Sequence, residues 1–363
     1  MIRLIKPYIK YEDVEEEFRG IFESGMFTNG KYREIFKEKL CGYTGAGYAF
    51  PATSATTALA ACLSVLGVGR GDEVVVSDFS YPATANVVEA CGAEPVFADV
   101  SLDTYNMLSS GLAQKLTQKT KAVIFVCAFG NPDGIDNIYA VCKQKKVPLI
   151  VDAACALGSK SGGVPVGAIG DLTCFSFHPR KLLTSGEGGA VTTDNEEYAA
   201  RLSVKLSHGA GMIDGKTEFV TYGYNYRLPE LQCVMLIKQL GYLDDVIRRR
   251  IAQQERYKGY LEPLGFTAQK HGDTVLHNMQ SVVFTVPERI ERDGLIDELR
   301  LRDIEATIGT YSMSACRYYQ KKYNHVQEKA LWLEQNTITL PCHDEVDMDL
   351  IETALKEICG EDR

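Results

Sequence analysis

A lysine near the middle of the chain stands where a charged amine is costly to keep. The stretch FSFHPRKLLTSGEGGAV, residues 175–191, places Lys181 after an apolar run and before a loop of Thr, Ser and Gly. Burial disfavours an ammonium group and favours the neutral amine, which can capture an aldehyde. Lys181 is therefore a candidate nucleophile, although a lone lysine before a glycine loop is more often a solvated side chain.

Three further features place polar or aromatic groups at the ends of predicted strands. Asp152 follows the apolar run in PLIVDAA and would be a carboxylate at the edge of a sheet, or else a helix cap or turn residue. The helix start in TSATTALAACLSVLG offers N–H groups to an anion, although simple capping by Ser54 or Thr56 is the commoner use of such a turn. Tyr81 would lie flat on a planar ligand or pack in the core.

Taken together, these groups match what pyridoxal phosphate requires. Its phosphate needs helix N–H groups, its ring needs a flat apolar neighbour, its pyridine nitrogen needs a carboxylate, and its aldehyde needs a lysine. The chain has neither a G-x-x-x-x-G-K-[ST] loop nor a G-x-G-x-x-G turn after a strand, which argues against a P-loop enzyme and a nicotinamide oxidoreductase.

The elements that must position these residues alternate along the chain. Short β-rich runs and helix-like runs follow one another from about 45 to 195, which predicts a mostly parallel α/β sheet covered on both faces. Long helical patterns follow about 230, and the rest is predicted to be a smaller α+β domain. We therefore expect a large domain over residues 1–240 and a small C-terminal domain over 241–363, with a boundary inside a helix.

Composition narrows the classes of function. The net charge of −9 and the lack of a domain-sized basic patch argue against nucleic-acid binding. The N-terminus does not resemble a signal peptide, and no apolar run reaches the roughly 18 residues that a membrane span needs. The eleven cysteines are scattered without a C-x-x-C pair, and the six histidines lack metal-ligand spacing. We expect a cytoplasmic enzyme with reduced cysteines and no metal.

Several motifs resemble the DegT/DnrJ/EryC1/StrS family of sugar aminotransferases, which have the type I fold of pyridoxal-phosphate enzymes. The resemblance covers about residues 7–345. The stretch from FTNGKYREIF to AEPVFADV carries it, with the motifs FGNPDGIDNI, VDAACALGS, GDLTCFSFHPRKLLTSGEGGAV and GYNYRLPELQ. The S-F-H-P-x-K…GEGG block is its most specific part.

The resemblance implies a role for each matching residue. Lys181 would form the Schiff base and carry the proton, Asp152 would pair with the pyridinium nitrogen, and Tyr81 would stack on the ring. Ala55, Thr56 and Ser176 would contact the phosphate. Asn225 would reach the phosphate bound by the neighbouring subunit of a homodimer. His178 and Glu187 would make loop or substrate contacts.

The chain also departs from the family pattern. Ala55 replaces a common glycine in the helix-start turn. Cys155 stands where Gln or His usually contacts the ring hydroxyl of the cofactor, which puts that hydrogen bond in doubt. The segment GTYSMSACRYY, which the family turns toward the substrate, lacks a histidine that many relatives have near Ser314. Tyr311 and Ser314 are accordingly candidate substrate contacts, and the natural ketone is expected to be atypical.

The expected activity is transfer of an amino group from an amino acid, L-glutamate by preference, to a keto sugar, in particular a nucleotide-linked 3- or 4-keto deoxysugar. Two alternatives stay open. Some relatives are sugar dehydratases that replace the lysine with histidine, and Lys181 argues against that activity. A non-catalytic relative that keeps the fold is the other, and the presence of lysine, acid and aromatic residue argues against it.

Overall fold

The computed structural model describes residues 1–360. Its α-helices are, in chain order, α1 (Glu15–Ser24), α2 (Lys31–Thr44), α3 (Ala55–Val65), α4 (Ala83–Ala90), α5 (Ser109–Lys115), α6 (Ile135–Lys145), α7 (Glu196–Lys205), α8 (Glu230–Leu240), α9 (Leu243–Leu261), α10 (Arg292–Leu301), α11 (Arg317–Tyr323), α12 (Glu328–Asn336) and α13 (Met348–Cys359).

The strands are short, and several have only two residues. In chain order they are β1 (Tyr48–Ala52), β2 (Glu73–Ser77), β3 (Phe79–Ser80), β4 (Glu94–Ala98), β5 (Thr120–Val126), β6 (Leu149–Asp152), β7 (Lys160–Ser161), β8 (Val164–Pro165), β9 (Leu172–Ser176), β10 (Gly189–Thr193), β11 (Ala210–Ile213), β12 (Lys216–Phe219), β13 (Thr267–Ala268), β14 (Val275–Leu276), β15 (Val282–Thr285), β16 (Thr307–Ile308), β17 (Tyr311–Ser312) and β18 (Thr337–Leu340).

A seven-stranded sheet forms the centre of the molecule, in the order β1-β10-β9-β6-β5-β2-β4. Strands β4, β2, β5, β6 and β9 are parallel, and β10 runs antiparallel between β9 and β1. The predicted mostly parallel α/β sheet is therefore confirmed.

Both faces of the sheet are buried, which explains the near-continuous apolar runs of its strands. Along β2, Val75 packs into the core on the side of α2, α6 and α8, whereas Val74 and Val76 pack into the core on the side of α3, α4 and α7. Val151 and Ile150 of β6 alternate in the same way. Side chains that alternate across a strand thus enter two separate apolar layers.

The C-terminal part has its own antiparallel sheet, in the order β13-β15-β18-β16, with a separate apolar core. Helix α9 links the two regions, since Val246 and Ile247 near its start join the large core and Tyr257 and Leu261 near its end join the small one. The division at residue 240 stays a prediction, and residues 361–363 of the predicted small domain lie outside the described residues.

Two short strand pairs fasten the parts together. β14 pairs with β7, and β17 pairs with β3 directly beside the predicted cofactor region. Within residues 1–360, no helix combines the length and the apolar composition that crossing a bilayer requires.

Candidate active site

The parallel strands end at a cavity of about 680 Å³. Its wall consists mainly of residues that follow strands, as expected for ligand sites of parallel sheets. Nine of the residues predicted from the sequence line it: Ala55, Thr56, Tyr81, Asp152, Cys155, Ser176, His178, Lys181 and Glu187.

Asp152 is the buried carboxylate of this cavity. It ends β6, lies opposite Val126 and Cys174 in the neighbouring strands, and is 6% exposed. Burial raises the pKa of Asp152, while a hydrogen bond from the Thr84 hydroxyl, one from the Ala154 amide and the charge of Lys181 oppose the rise. A buried carboxylate in this position is suited to a cationic N–H partner, such as a pyridinium nitrogen.

Two hydrogen bonds fix the orientation of that carboxylate. The Thr84 hydroxyl donates to Oδ2 at 2.7 Å, and the Ala154 amide donates to Oδ1 at 3.2 Å. Thr84 lies in the first turn of α4, and its Oγ1 is 2.9 Å from the Ser80 hydroxyl. The sequence reading missed Thr84, because a threonine at a helix start is most simply interpreted as a capping residue.

Lys181 lines the same cavity and lies on the segment that follows β9. Its Nζ donates to the Cys155 Sγ at 3.0 Å, so Cys155, which departs from the family pattern, contacts the candidate nucleophile directly. The backbone on both sides of the lysine is held by Gln280, whose Oε1 accepts from the Leu182 amide at 2.9 Å and whose Nε2 donates to the Arg180 carbonyl at 2.7 Å. Gln280 was not predicted from the sequence.

The start of α3 forms an anion-binding corner. The Ser54 hydroxyl accepts a hydrogen bond from the Thr57 amide at 3.1 Å. The first two amides of the helix, those of Ala55 and Thr56, have no partner inside the helix because no turn precedes them. A Cβ added to Gly189 would lie 2.4 Å from the Ser54 carbonyl carbon and 2.6 Å from the Ala55 nitrogen, so only glycine lets β10 approach this turn. Ser176 pairs with Gly189 in the sheet and lines the same corner.

His178 and Glu187 face each other at the cavity, with 4.0 Å between the histidine Nε2 and the glutamate Oε1. The Arg180 amide donates to the His178 Nδ1 at 3.2 Å, which places the proton of the neutral ring on Nε2, toward Glu187. Burial lowers the pKa of His178, and the Glu187 carboxylate opposes that shift.

Tyr81 is 69% exposed at the mouth of the cavity, between β3 and α4. A ring in that position is free to cover a planar ligand. The structure adds Arg180 and Thr310 to the wall, which the sequence reading did not select. The position of Arg180 next to Lys181 was a signal that could have identified it.

Three predicted residues lie elsewhere in the chain. Asn225 is exposed and forms an isolated bridge with Ser207, beyond the β11–β12 hairpin. Ser314 is 1% exposed, and its hydroxyl donates to the buried carboxylate of Asp78 at 2.9 Å. Tyr311 is half-exposed in β17 and is not part of the cavity wall. Substrate contacts from Tyr311 and Ser314 stay predictions.

A lysine and a buried carboxylate at the carboxyl edge of a parallel sheet, with an anion-binding helix start in the same cavity, are features of the α/β aminotransferases. Similarity to known proteins makes the assignment specific. The sequence model of the DegT/DnrJ/EryC1/StrS aminotransferase family matches residues 9–358, and the chain belongs to this family, whose members depend on pyridoxal phosphate. The predicted family, fold and enzyme class are thereby confirmed.

Individual relatives match over nearly the full length. Uncharacterized protein MJ1066 of Methanocaldococcus jannaschii is 30% identical over 380 residues, which cover 99% of this chain and 97% of that protein. A putative sugar aminotransferase of Streptococcus pneumoniae, Spr1654 in its PMP form, superposes with a TM-score of 0.93 at 27% identity and covers 99% of each chain. The aminotransferase TlmJ of Streptoalloteichus hindustanus gives 0.92 at 26% identity, over 99% of this chain and 100% of that chain.

Proposed function

We propose that this protein transfers an amino group from an amino acid, L-glutamate by preference, to a nucleotide-linked keto deoxysugar, with pyridoxal phosphate as the cofactor. The observation that carries the proposal is the meeting of the Lys181 amine and the buried Asp152 carboxylate in one cavity of about 680 Å³. The family and its structural relatives support sugar amination as the reaction class.

The residues fit the cofactor at each of its groups. The amides of Ala55 and Thr56 and the hydroxyl of Ser176 suit a phosphate, and Tyr81 suits the face of the ring. The carboxylate of Asp152 suits the ring nitrogen. When bound, the cofactor supplies a carbonyl group that accepts the amino group and a ring that withdraws electrons from the reacting carbon.

The chain itself supplies proton handling and orientation. Asp152 would hold the proton on the ring nitrogen, and the hydrogen bond from Thr84 fixes the orientation of the carboxylate. Lys181 takes the proton from the α-carbon of the donor and delivers one to the former keto carbon of the sugar. Cys155 orients the lysine amine through the 3.0 Å contact between Nζ and Sγ.

We also propose a homodimer in which Asn225 of each subunit completes the phosphate site of its partner. Asn225 is exposed and lies outside the cavity of its own chain. The adjacent β11–β12 hairpin exposes large apolar side chains, among them Met212 at 68% and Phe219 at 75%. Apolar surface of this kind on one protruding hairpin is typical of a protein contact.

The decisive experiment is a panel of nucleotide-linked 3-keto and 4-keto sugars, offered with L-glutamate or L-glutamine and scored by mass for an amino product. Lys181→Ala should lower turnover by about a thousandfold or more, because the proton carrier is lost. The exposed Lys160→Ala serves as the control and should keep full activity. Unchanged turnover in Lys181→Ala would refute the assignment, and a deoxygenated product without nitrogen would identify a dehydratase.

A further inference from the structure

The thiol of Cys155 and the amine of Lys181 are in direct contact inside the candidate active site. Both residues line the cavity of about 680 Å³, and the Lys181 Nζ lies 3.0 Å from the Cys155 Sγ. Among residues 1–360, this sulfur is the one hydrogen-bond partner of that nitrogen, and no carboxylate oxygen lies within 4.0 Å of it. Two nucleophilic groups therefore face each other in a space that a small molecule can enter.

The backbone segments that carry the two groups are held by one short segment before β15. The Asn278 Nδ2 donates to the Cys155 carbonyl at 2.9 Å. Two residues further along the chain, the Gln280 side chain binds the Leu182 amide and the Arg180 carbonyl. The Gln280 amide donates to the Asn278 Oδ1 at 2.9 Å, which joins the two anchors. The contact between thiol and amine therefore rests on two backbone segments with a shared support.

Cys155 differs from the other cysteines of the chain in its surroundings. Seven of the eleven cysteines are buried, and Cys41, Cys91 and Cys316 share the half-buried state of Cys155. Burial raises the pKa of these three thiols, which disfavours the thiolate form that an oxidant attacks. Cys155 instead has a lysine amine as its neighbour and lines the cavity. It is therefore a favourable target for a small oxidant that enters the site.

We propose that hydrogen peroxide converts this pair into a covalent bridge between the Cys155 sulfur and the Lys181 nitrogen. The peroxide oxidises the thiol to a sulfenic acid and is itself reduced to water. The neutral amine then attacks the sulfenyl sulfur and forms an S–N bond, and the hydroxyl group leaves with one amine hydrogen as a second water. A dithiol reductant reverses the change, because it returns the thiol and the amine and becomes a disulfide.

The bridge removes the amine that the proposed function assigns to the cofactor aldehyde. The site is then closed under oxidising conditions and reopens when a thiol reductant is present. The bridge also keeps the sulfur from further oxidation to the sulfinic acid, which thiols do not reverse. This consequence for activity rests on the proposed function, whereas the bridge itself requires only the contact between the two side chains.

Mass spectrometry of the full-length protein tests the bridge without a measurement of turnover. Cofactor-free protein is treated with hydrogen peroxide, its remaining thiols are blocked, and the denatured chain is digested. We expect a joined pair of fragments that contain residues 155 and 181, lighter by about two mass units because two hydrogens have left. Dithiothreitol should separate the pair. A Cys155 fragment that gains about 32 mass units as a sulfinic acid, with no joined pair, would refute the inference.

A disulfide loses the same mass, so variants must distinguish the two products. Cys127 lines the same cavity at 1% exposure and is the alternative partner of Cys155. Cys127→Ala should keep the bridge, whereas Lys181→Ala should abolish it. If Lys181→Ala still loses two hydrogens at Cys155 and Cys127→Ala does not, the product is a disulfide and the inference is wrong.

The matched control is Cys41→Ser, because Cys41 is also half-buried and has Lys37 one helical turn before it in α2. This variant should form the bridge to the same extent as the wild type. Loading with pyridoxal phosphate before oxidation should prevent the bridge, because the lysine amine is then engaged. A bridge that forms equally well in the loaded protein would support this inference and contradict the role proposed for Lys181, so the two proposals can fail separately.

Discussion

At the scale of single residues, the proposed chemistry requires Asp152 to be ionised in a buried place. Burial alone favours the protonated acid, and the pKa of Asp152 is raised for that reason. The Thr84 hydroxyl, which donates at 2.7 Å, favours the carboxylate. We therefore expect Thr84 to be a positioning residue whose effect on the reaction passes through Asp152.

Replacement of Thr84 should be visible in the pH profile. Thr84→Val removes a donor that stabilises the ionised form, so the pKa of Asp152 rises further and the acid limb of the pH–rate profile moves to higher pH. We expect turnover to fall by about tenfold near neutrality, the effect of one lost hydrogen bond to a charged group. Thr84→Ser keeps the hydroxyl and should restore the wild-type profile. An unshifted acid limb in Thr84→Val would show that the hydroxyl does not influence the carboxylate.

Asp78 is a second buried acid, on the turn between β2 and β3. Its carboxylate accepts hydrogen bonds from the Ser312 hydroxyl and the Ser314 amide, both at 2.7 Å, and from the Ser314 hydroxyl at 2.9 Å. Burial raises the pKa of Asp78 to about 7, although those hydrogen bonds oppose the shift. Asp78 thus fastens the segment that contains β17 to the turn between β2 and β3.

The raised pKa makes a prediction about stability. The folded protein holds the Asp78 proton up to about pH 7, whereas the unfolded chain releases it near its ordinary value of 3.8. Stability from this group is therefore complete below that ordinary value and is lost as the pH rises through about 7. Asp78→Asn cannot ionise, so urea midpoints at about pH 5 and about pH 8 should differ less in the variant than in the wild type. Equal pH dependence in both proteins would contradict the assignment.

At the scale of elements, the loop that carries Lys181 is held by side chains from distant parts of the chain. Gln280 lies just before β15, yet its side chain binds the backbone on both sides of the lysine. Gln239 of α8 likewise bonds the amide of Thr184 at 3.1 Å and its carbonyl at 2.7 Å. The lysine loop is thus tied both to the segment before β15 and to α8.

Loss of the Gln280 side chain should impair both the loop and the reaction. Gln280→Leu leaves the Leu182 amide and the Arg180 carbonyl without these partners in a buried place, which costs about 2 kcal/mol of unfolding free energy. Turnover should fall more than stability alone explains, since Lys181 loses its alignment. Gln253→Leu is the matched control, because Gln253 also makes two hydrogen bonds, to His343 and Cys342, away from the cavity. Equal activity in the two variants would show that the lysine loop is positioned without Gln280.

The sequence predicted the elements that depend on local pattern. The strands of the parallel sheet were readable because each is an apolar run, and α6 because its apolar residues recur at helical spacing. Pairing between distant segments was not readable: the two-residue strands β3 and β17 are 230 residues apart, too short and too remote to leave a periodic signal. The antiparallel insertion of β10 between β9 and β1 was not predicted either, because an apolar run does not reveal which strands it pairs with or in which direction.

The residues of the candidate site likewise fall into those that the sequence predicts and those that only the fold reveals. Lys181 and Asp152 were found because a charged residue after an apolar run is conspicuous in a sequence. Thr84 and Gln280 were not, because polar residues of these types are common in turns and carry a role only through the partner that the fold brings to them. The contact between Cys155 and Lys181 was equally invisible, since it depends on side-chain geometry across 26 residues.

At the scale of the whole molecule, the proposed dimer would bury the exposed apolar side chains of the β11–β12 hairpin in the contact between subunits. Phe219→Glu places a charge on its most exposed large apolar side chain, which is 75% exposed. We expect the variant to sediment as a monomer and to lose cofactor affinity, because Asn225 no longer reaches a neighbouring site. Leu350→Glu, on the exposed surface of α13, should leave the assembly unchanged. A Phe219→Glu protein that remains dimeric would place the interface elsewhere.

The hold of Gln280 on the lysine loop has a consequence during protein synthesis. Gln280 is translated about a hundred residues after that loop, a delay of roughly 5 to 20 s at ordinary rates of elongation. For most of that interval the nascent chain has every strand of the central sheet, since β10 ends at Thr193, but lacks the side chain that holds the backbone around Lys181. We therefore expect stable binding of the proposed cofactor only after residue 280 has joined the fold, and a chain that ends before residue 280 lacks these two hydrogen bonds to the lysine loop.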